Sequence, residues 1–116
     1  MAFEKGLEVL DFLRGALVRK VREDTPDLTN RQMAILLTIY MDEPPHTVRG
    51  LAKHLNVSKP VVTRALDTLS EYGFVKRVKD ENDKRSVMLQ RTVKGSVYLR
   101  DFVDLIEHAK VPLAAE

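Results

Sequence analysis

The segment from Val57 to Thr92 constrains the fold of this chain more than any other. It reads VSKPVVTRALDTLSEYGFVKRVKDENDKRSVMLQRT. Ser58 is a good helix N-cap, and Pro60 is tolerated in the first turn because its missing N–H would be unpaired there anyway. The spacing predicts a helix over 58–72 with Val62, Ala65, Leu66 and Leu69 inward, stopped by Gly73. Two β-prone runs follow, Phe74 to Lys79 and Ser86 to Gln90, around the polar loop Asp80 to Arg85. Ahead of the segment, Arg49 to Leu55 reads as a short helix with Leu51, Ala52 and Leu55 inward, and Asn56 makes the turn. Thr47-Val48 reads either as a brief strand or as the N-cap of that helix. A short helix, a tight turn, a second helix and a hairpin thus follow one another in order.

The remaining segments supply a core and two flanking helices. Over 2–22, Phe3, Leu7, Leu10, Leu13, Leu17 and Val21 recur at three- and four-residue steps and share one face of a helix about 30 Å long. Phe12 and Val18 lie off that stripe; either they widen the core face or a partner chain covers them. Thr25-Pro26-Asp27 is a turn. Thr29, with Gln32 three residues on, forms a capping box for a helix carrying Met33, Ile35, Leu36, Leu37, Ile39 and Tyr40. That helix is apolar nearly all round and is expected to be the most buried. Asp42 to His46 is a loop enforced by two prolines. Thr92 caps a last helix with Val93, Val97, Phe102, Leu105, Ile106 and Ala109 on one face, ended by Pro112. The expected fold class is mainly α with a small β-hairpin. This is a winged helix-turn-helix (28–91) within a single domain (1–116), flanked by an N-terminal helix (1–24) and a C-terminal helix (92–110).

Composition removes several function classes. At 116 residues there is room for one core. The chain has no cysteine, which excludes disulfides and thiolate metal sites. MAFEKGLEVL has early acids and no long apolar run, so no secretory signal is expected, and no stretch is apolar enough to span a bilayer. A cytoplasmic location is expected. There is no Gly-rich phosphate loop, HExxH or nucleophile elbow, so neither enzymatic activity nor a cofactor is expected. His46, His54 and His108 lack ligand spacing, and no metal site is expected. Asp104 and His108, at i and i+4, suit a surface hydrogen bond. Tyr40, Tyr72 and Tyr98 are expected to be core or half-buried.

The formal net charge is only +2, but its distribution is uneven. Residues 44–95 hold 11 Lys and Arg against 5 Asp and Glu, whereas residues 1–43 hold 6 against 8 and residues 96–116 hold 2 against 4. A basic centre between acidic ends suits a polyanionic partner. With its core face removed, the helix 58–72 exposes Ser58, Lys59, Val61, Thr63, Arg64, Asp67 and Thr68, with Pro60 in the same first turn. Cations for guanine acceptors, hydroxyls for mixed base edges and a small apolar surface for the thymine methyl are what major-groove reading requires. Free N–H groups at the helix start suit a phosphate. In the wing loop, Lys84 and Arg85 sit at a tip where a cation reaches a groove or a phosphate. Asp83 is expected to orient Arg85 or the loop backbone.

The runs LTNRQMAILLTIY, VRGLAKHLNVSKPVVTRALDTLSEYGFVKRV and DENDKRSVMLQRTVKG resemble the MarR-type family of prokaryotic transcriptional regulators, over roughly residues 28–96. The most specific piece is Asp83-Lys84-Arg85-Ser86 followed by Thr92-Val93-Lys94-Gly95. The resemblance implies that Ser58, Lys59, Thr63 and Arg64 face the major groove. It further implies that Arg85 enters the minor groove and that Asp83 steadies the wing. It implies a homodimer built on the first and last helices, here on Phe3, Leu7, Leu10, Phe102 and Ile106, bound to pseudo-palindromic double-stranded DNA. A repressor is the expected regulator. Family members often bind small aromatic acids between the dimer helices and the reading module; no residue here identifies such an effector. Two departures stand out. Arg91 replaces the apolar residue usual before the threonine, and either loosens the junction with the last helix or adds a phosphate contact. Only about one terminal helix follows, so the dimer interface is expected to be smaller or rearranged. The alternative reading is a winged-helix module that binds protein and not DNA.

Overall fold

The computed structural model describes residues 2–83 and 85–109, with side chains from Gly6 onward. In chain order the elements are α1 (Ala2–Arg22), α2 (Asn30–Met41), β1 (His46–Thr47), α3 (Val48–Leu55), α4 (Lys59–Glu71), β2 (Val75–Lys79), β3 (Val87–Arg91) and α5 (Val93–His108). They fall into two compact units, Leu28–Val97 and the pair of segments ending at Asp27 and starting at Tyr98.

The Leu28–Val97 unit is a winged helix-turn-helix. Its core is α2, with Ile35, Leu36 and Ile39 fully buried, packed with Leu51 and Ala52 of α3, and Val62, Ala65, Leu66 and Leu69 of α4. Phe74, Val75 and Leu89 bring the hairpin into the same core. The capping box at α2 forms as its sequence predicts. The Gln32 N–H donates to Thr29 Oγ1 at 3.1 Å, and the Thr29 N–H donates to Gln32 Oε1 at 2.9 Å. Thr29→Ala removes the first bond and is expected to cost about 1 kcal/mol in urea unfolding, a typical value for a lost cap.

Both readings of Thr47 hold at once. His46–Thr47 pairs with β3, and Thr47 Oγ1 accepts the Gly50 N–H at 3.0 Å as the N-cap of α3. Asn56 makes the α3–α4 turn in the left-handed region, at φ 57°. At the other end of α4, Gly73 has φ +79°, and the bonds Phe74 N–H to Leu69 O and Gly73 N–H to Ser70 O complete a Schellman cap. The wing is therefore a three-stranded antiparallel sheet in the order β1-β3-β2, wider than the expected hairpin. Val75 pairs with Arg91, and Lys79 with Val87.

In the second unit the buried surface differs from the expected stripes. From Tyr98 onward the covered residues of α5 are Tyr98, Leu99, Phe102 and Leu105, with Ala109 just past its end. Val93, Val97 and Ile106 are exposed, so the expected common face has rotated toward Tyr98. On α1 the expected stripe is uncovered: Leu7, Leu10, Leu13, Leu17 and Val21 are all exposed, as is Phe12, while Val18 is half-buried. Buried instead are Gly15, Ala16 and Lys20. A Cβ on Gly15 would lie 3.2 Å from that of Ala109, so glycine permits a close helix approach. The Lys20 ammonium donates to Thr25 Oγ1 and to Pro26 O at 3.0 Å, and lies 4.4 Å from the Tyr98 ring centroid. Burial holds its pKa below the ordinary lysine value, against the opposing pull of Glu23, Asp27 and Asp101. His108 Nδ1 bonds to the Asp104 backbone carbonyl at 2.7 Å and not to its carboxylate. No described helix is long and apolar enough to cross a membrane.

Candidate nucleic-acid interface

The helix α4 buries one side in the core and presents the other outward. Its exposed residues include Lys59, Pro60, Thr63, Arg64 and Asp67, preceded by exposed Ser58; Val61 is half-buried. Ser58 occupies the N-cap position, but its side chain makes no capping hydrogen bond. The expected cap is thus positional only. Pro60 has no N–H to satisfy, which lowers the demand for a capping oxygen.

The hairpin folds back beside the start of α4. A cleft of about 510 Å³ is lined by Thr47, Val48 and Arg49 of β1 and α3, by Lys59 and Thr63 of α4, and by Asp83, Arg85, Ser86 and Val87 of the wing. Three cations and one carboxylate border it. Asp83 is committed to the loop itself: its Oδ1 accepts the Arg85 N–H at 3.0 Å, and its carbonyl accepts the Ser86 N–H at 2.9 Å. Of the two roles anticipated for Asp83, orientation of the loop backbone is the one observed. Asp80 shapes the other side of the loop by accepting the Asn82 N–H at 2.9 Å. Both turns use an aspartate oxygen to satisfy a backbone donor two residues on, which fixes the tip without bulk.

Lys59, Thr63, Asp83 and Arg85 are thus brought together, while Ser58, Pro60, Val61 and Arg64 lie along the same helix outside the cleft lining. Lys84 lies outside the described residues, as does the side chain of Phe3. Leu7, Leu10 and Ile106 are exposed and Phe102 is half-buried, all within the other unit.

Two contributors were missed in the sequence. Arg49 reaches the cleft from the first turn of α3; its signal was an exposed cation on a helix whose inward positions were already assigned. Arg77 on β2 joins the wing to α4, donating from Nη2 to Asp67 Oδ1 at 2.6 Å and to Thr63 O at 3.2 Å. The Asp67 carboxylate, otherwise an unfavourable charge on a surface meant for a polyanion, is thereby paired. Arg91 corrects one of the two expectations for it: the junction is tied and not loosened, its Nε donating to Ile39 O and its Nη2 to Asp42 O, each at 2.8 Å.

Comparison with known proteins agrees with this architecture. Residues 28–87 match the sequence model of the MarR family. The HTH-type transcriptional repressor YetL of Bacillus subtilis is 34% identical over 70 residues, 59% of this chain and 42% of that protein, so this chain spans less than half of that relative. The crystal structure of transcriptional regulator Tm0710 from Thermotoga maritima superposes with a TM-score of 0.72 and 30% identity, over 92% of this chain and 74% of that one. The structure of reduced AbfR bound to DNA gives a TM-score of 0.64 and 25% identity, over 91% of this chain and 72% of that one. The match covers the helix-turn-helix, β2 and the wing loop that borders the cleft, ending where β3 begins, and it identifies the chain as a member of the MarR family.

Proposed function

We propose that the chain is a sequence-specific double-stranded DNA-binding transcriptional regulator, acting as a repressor. The first turns of α4 enter the major groove, with Arg64 and Lys59 toward guanine acceptors or phosphates and Thr63 toward mixed base edges. The wing lays Arg85 against the minor groove or the backbone. The observation that carries this reading is the cleft in which Lys59, Thr63 and Arg49 face Arg85. One surface thus holds a helix start and a hairpin tip, both cationic. The names of YetL and Tm0710, and the DNA held by AbfR, support it.

The uncovered apolar side of α1 supports a homodimer in which Leu7 and Leu10, each 48% exposed here, are covered by a second copy. Two copies would set their α4 helices in successive major-groove faces about 34 Å apart and so require a pseudo-palindromic operator.

Selection of bound duplexes from a random pool with purified protein tests the reading directly. Enrichment of an inverted repeat with half-sites about one helical turn apart is expected. No enrichment, with binding insensitive to salt, would favour a protein-binding module instead. Arg64→Ala is expected to cost about 1–3 kcal/mol on the selected operator and to relax preference at one base pair of each half-site. Fluorescence anisotropy on single-base variants of that operator measures it.

A further inference from the structure

We infer that Arg91 is a positioning residue: it ties the base of the wing to the end of α2 and thereby aims Arg85 at the DNA. This rests on the DNA-binding reading above. The α2 helix leaves helical geometry at Asp42 (φ −91°, ψ 156°), whose N–H still bonds to Thr38 O. The next carbonyl, that of Ile39, would need an N–H from Glu43, which the departing chain no longer offers. Arg91 Nε supplies it, and Nη2 reaches on to Asp42 O. His46 bonds to the same Asp42 carbonyl through Nε2 at 3.1 Å. A guanidinium also sits favourably at the negative end of the helix dipole.

The other strand of the hairpin is held at the same place. Tyr40 Oη accepts the Thr92 N–H at 2.9 Å and donates to Phe74 O at 2.7 Å. Val75 and Arg91 are cross-strand partners, so the start of β2 and the end of β3 are both fastened to the last turn of α2. β3 runs from Val87 to Arg91, about 13 Å of extended strand, with Arg85 in the turn beyond it. A pivot of about 10° at the base therefore moves the start of the tip by about 2.3 Å, more than a hydrogen bond tolerates. β1 also holds β3 at Met88 and Leu89, and Arg77 ties β2 to α4. At the base itself Tyr40 supplies one side-chain anchor to α2, and the two bonds of Arg91 add a second that resists rotation there.

The test compares Arg91→Leu, Arg91→Lys, Arg85→Ala and the Arg85→Ala/Arg91→Leu pair. Anisotropy titration uses a mixed-sequence duplex across a salt series, and amide exchange at Val87 to Leu89 is followed without DNA. Arg91→Leu is expected to weaken binding about five-fold with an unchanged salt slope, because no phosphate contact is lost. Its effect is expected to vanish in the Arg85→Ala background, since an unaimed wing matters only while Arg85 is there to aim. Arg91→Lys, which donates from one nitrogen only, is expected to fall between. Faster hairpin exchange in Arg91→Leu is expected even in the free protein.

Additive losses, a salt slope smaller by about one, or unchanged affinity would overturn the proposal, the second outcome marking Arg91 as a phosphate contact. If the unsubstituted protein fails to bind the duplex at all, the DNA-binding reading falls, and the exchange result alone decides whether Arg91 holds the wing.

Discussion

Gly95→Ala is expected to destabilise the winged-helix unit by about 3–5 kcal/mol, the upper range for a single substitution. A Cβ built on Gly95 would lie 1.9 Å from Tyr40 Oη, 2.4 Å from Phe74 O and 2.7 Å from Tyr40 Cζ. None of these atoms can withdraw cheaply. The Tyr40 hydroxyl is fixed by Thr92 and Phe74, the Phe74 carbonyl belongs to the entry of β2, and Gly95 itself donates its N–H to Thr92 Oγ1 at 2.9 Å. To admit one methyl group, either α5 must back away from the sheet or Tyr40 must abandon its partners, leaving buried polar groups unpaired at about 1–3 kcal/mol each. Helix propensity opposes this with a gain of only about 1 kcal/mol for alanine over glycine. Gly6 is the control: nothing lies within 4 Å of its would-be Cβ, so Gly6→Ala is expected to be neutral or slightly stabilising. Urea unfolding of both variants measures the contrast, and similar midpoints would refute the account.

The same glycine illustrates what a sequence carries and what it withholds. Elements set by neighbours in the chain were legible: the capping box of Thr29 and Gln32, the stop at Gly73 and the turn at Asn56 each involve residues within five positions. The site was legible in outline, because Lys59 and Arg85 belong to elements whose order and length bring them close. Contacts across long separations were not. Arg91 bonds to Ile39, 52 residues away, and nothing local distinguishes that arginine from one aimed at solvent. Tyr40 is half-buried, within the core-or-half-buried expectation, yet its function in the fold is that of its hydroxyl, which periodicity does not show. Periodicity on α1 gathers Leu7, Leu10, Leu13, Leu17 and Val21 on one face but says nothing of what covers it; the described residues leave it exposed. On α5 the apolar count favoured Val93 and Val97, whereas burial follows Tyr98, whose hydroxyl donates to Pro26 O at 3.0 Å. A tyrosine that buries its ring and still satisfies its oxygen outcompetes two valines for the covered side.

Replacement of both Lys59 and Arg85 by alanine is expected to cause a large loss of DNA binding. The two side chains approach one cleft from opposite elements, the helix start and the wing, so they contact different stretches of backbone and their losses add. Each phosphate neutralised contributes about 0.9 to the dependence of log K on log salt, so the slope should flatten by about 1.8 per protomer and about 3.6 for a dimer. The affinity loss should be greatest at low salt and shrink as salt rises, because the missing term is itself electrostatic. Folding should be unaffected: Lys59 and Arg85 are both exposed, and the bond that shapes the wing runs from the Arg85 backbone to Asp83, which alanine preserves. Arg14→Ala serves as a control for a cation lost outside the cleft. It removes an exposed cation paired with Asp11 on α1 and should leave the slope unchanged. A double variant that kept the parental slope while remaining folded by circular dichroism would mean that the cationic cleft is not where the phosphates lie.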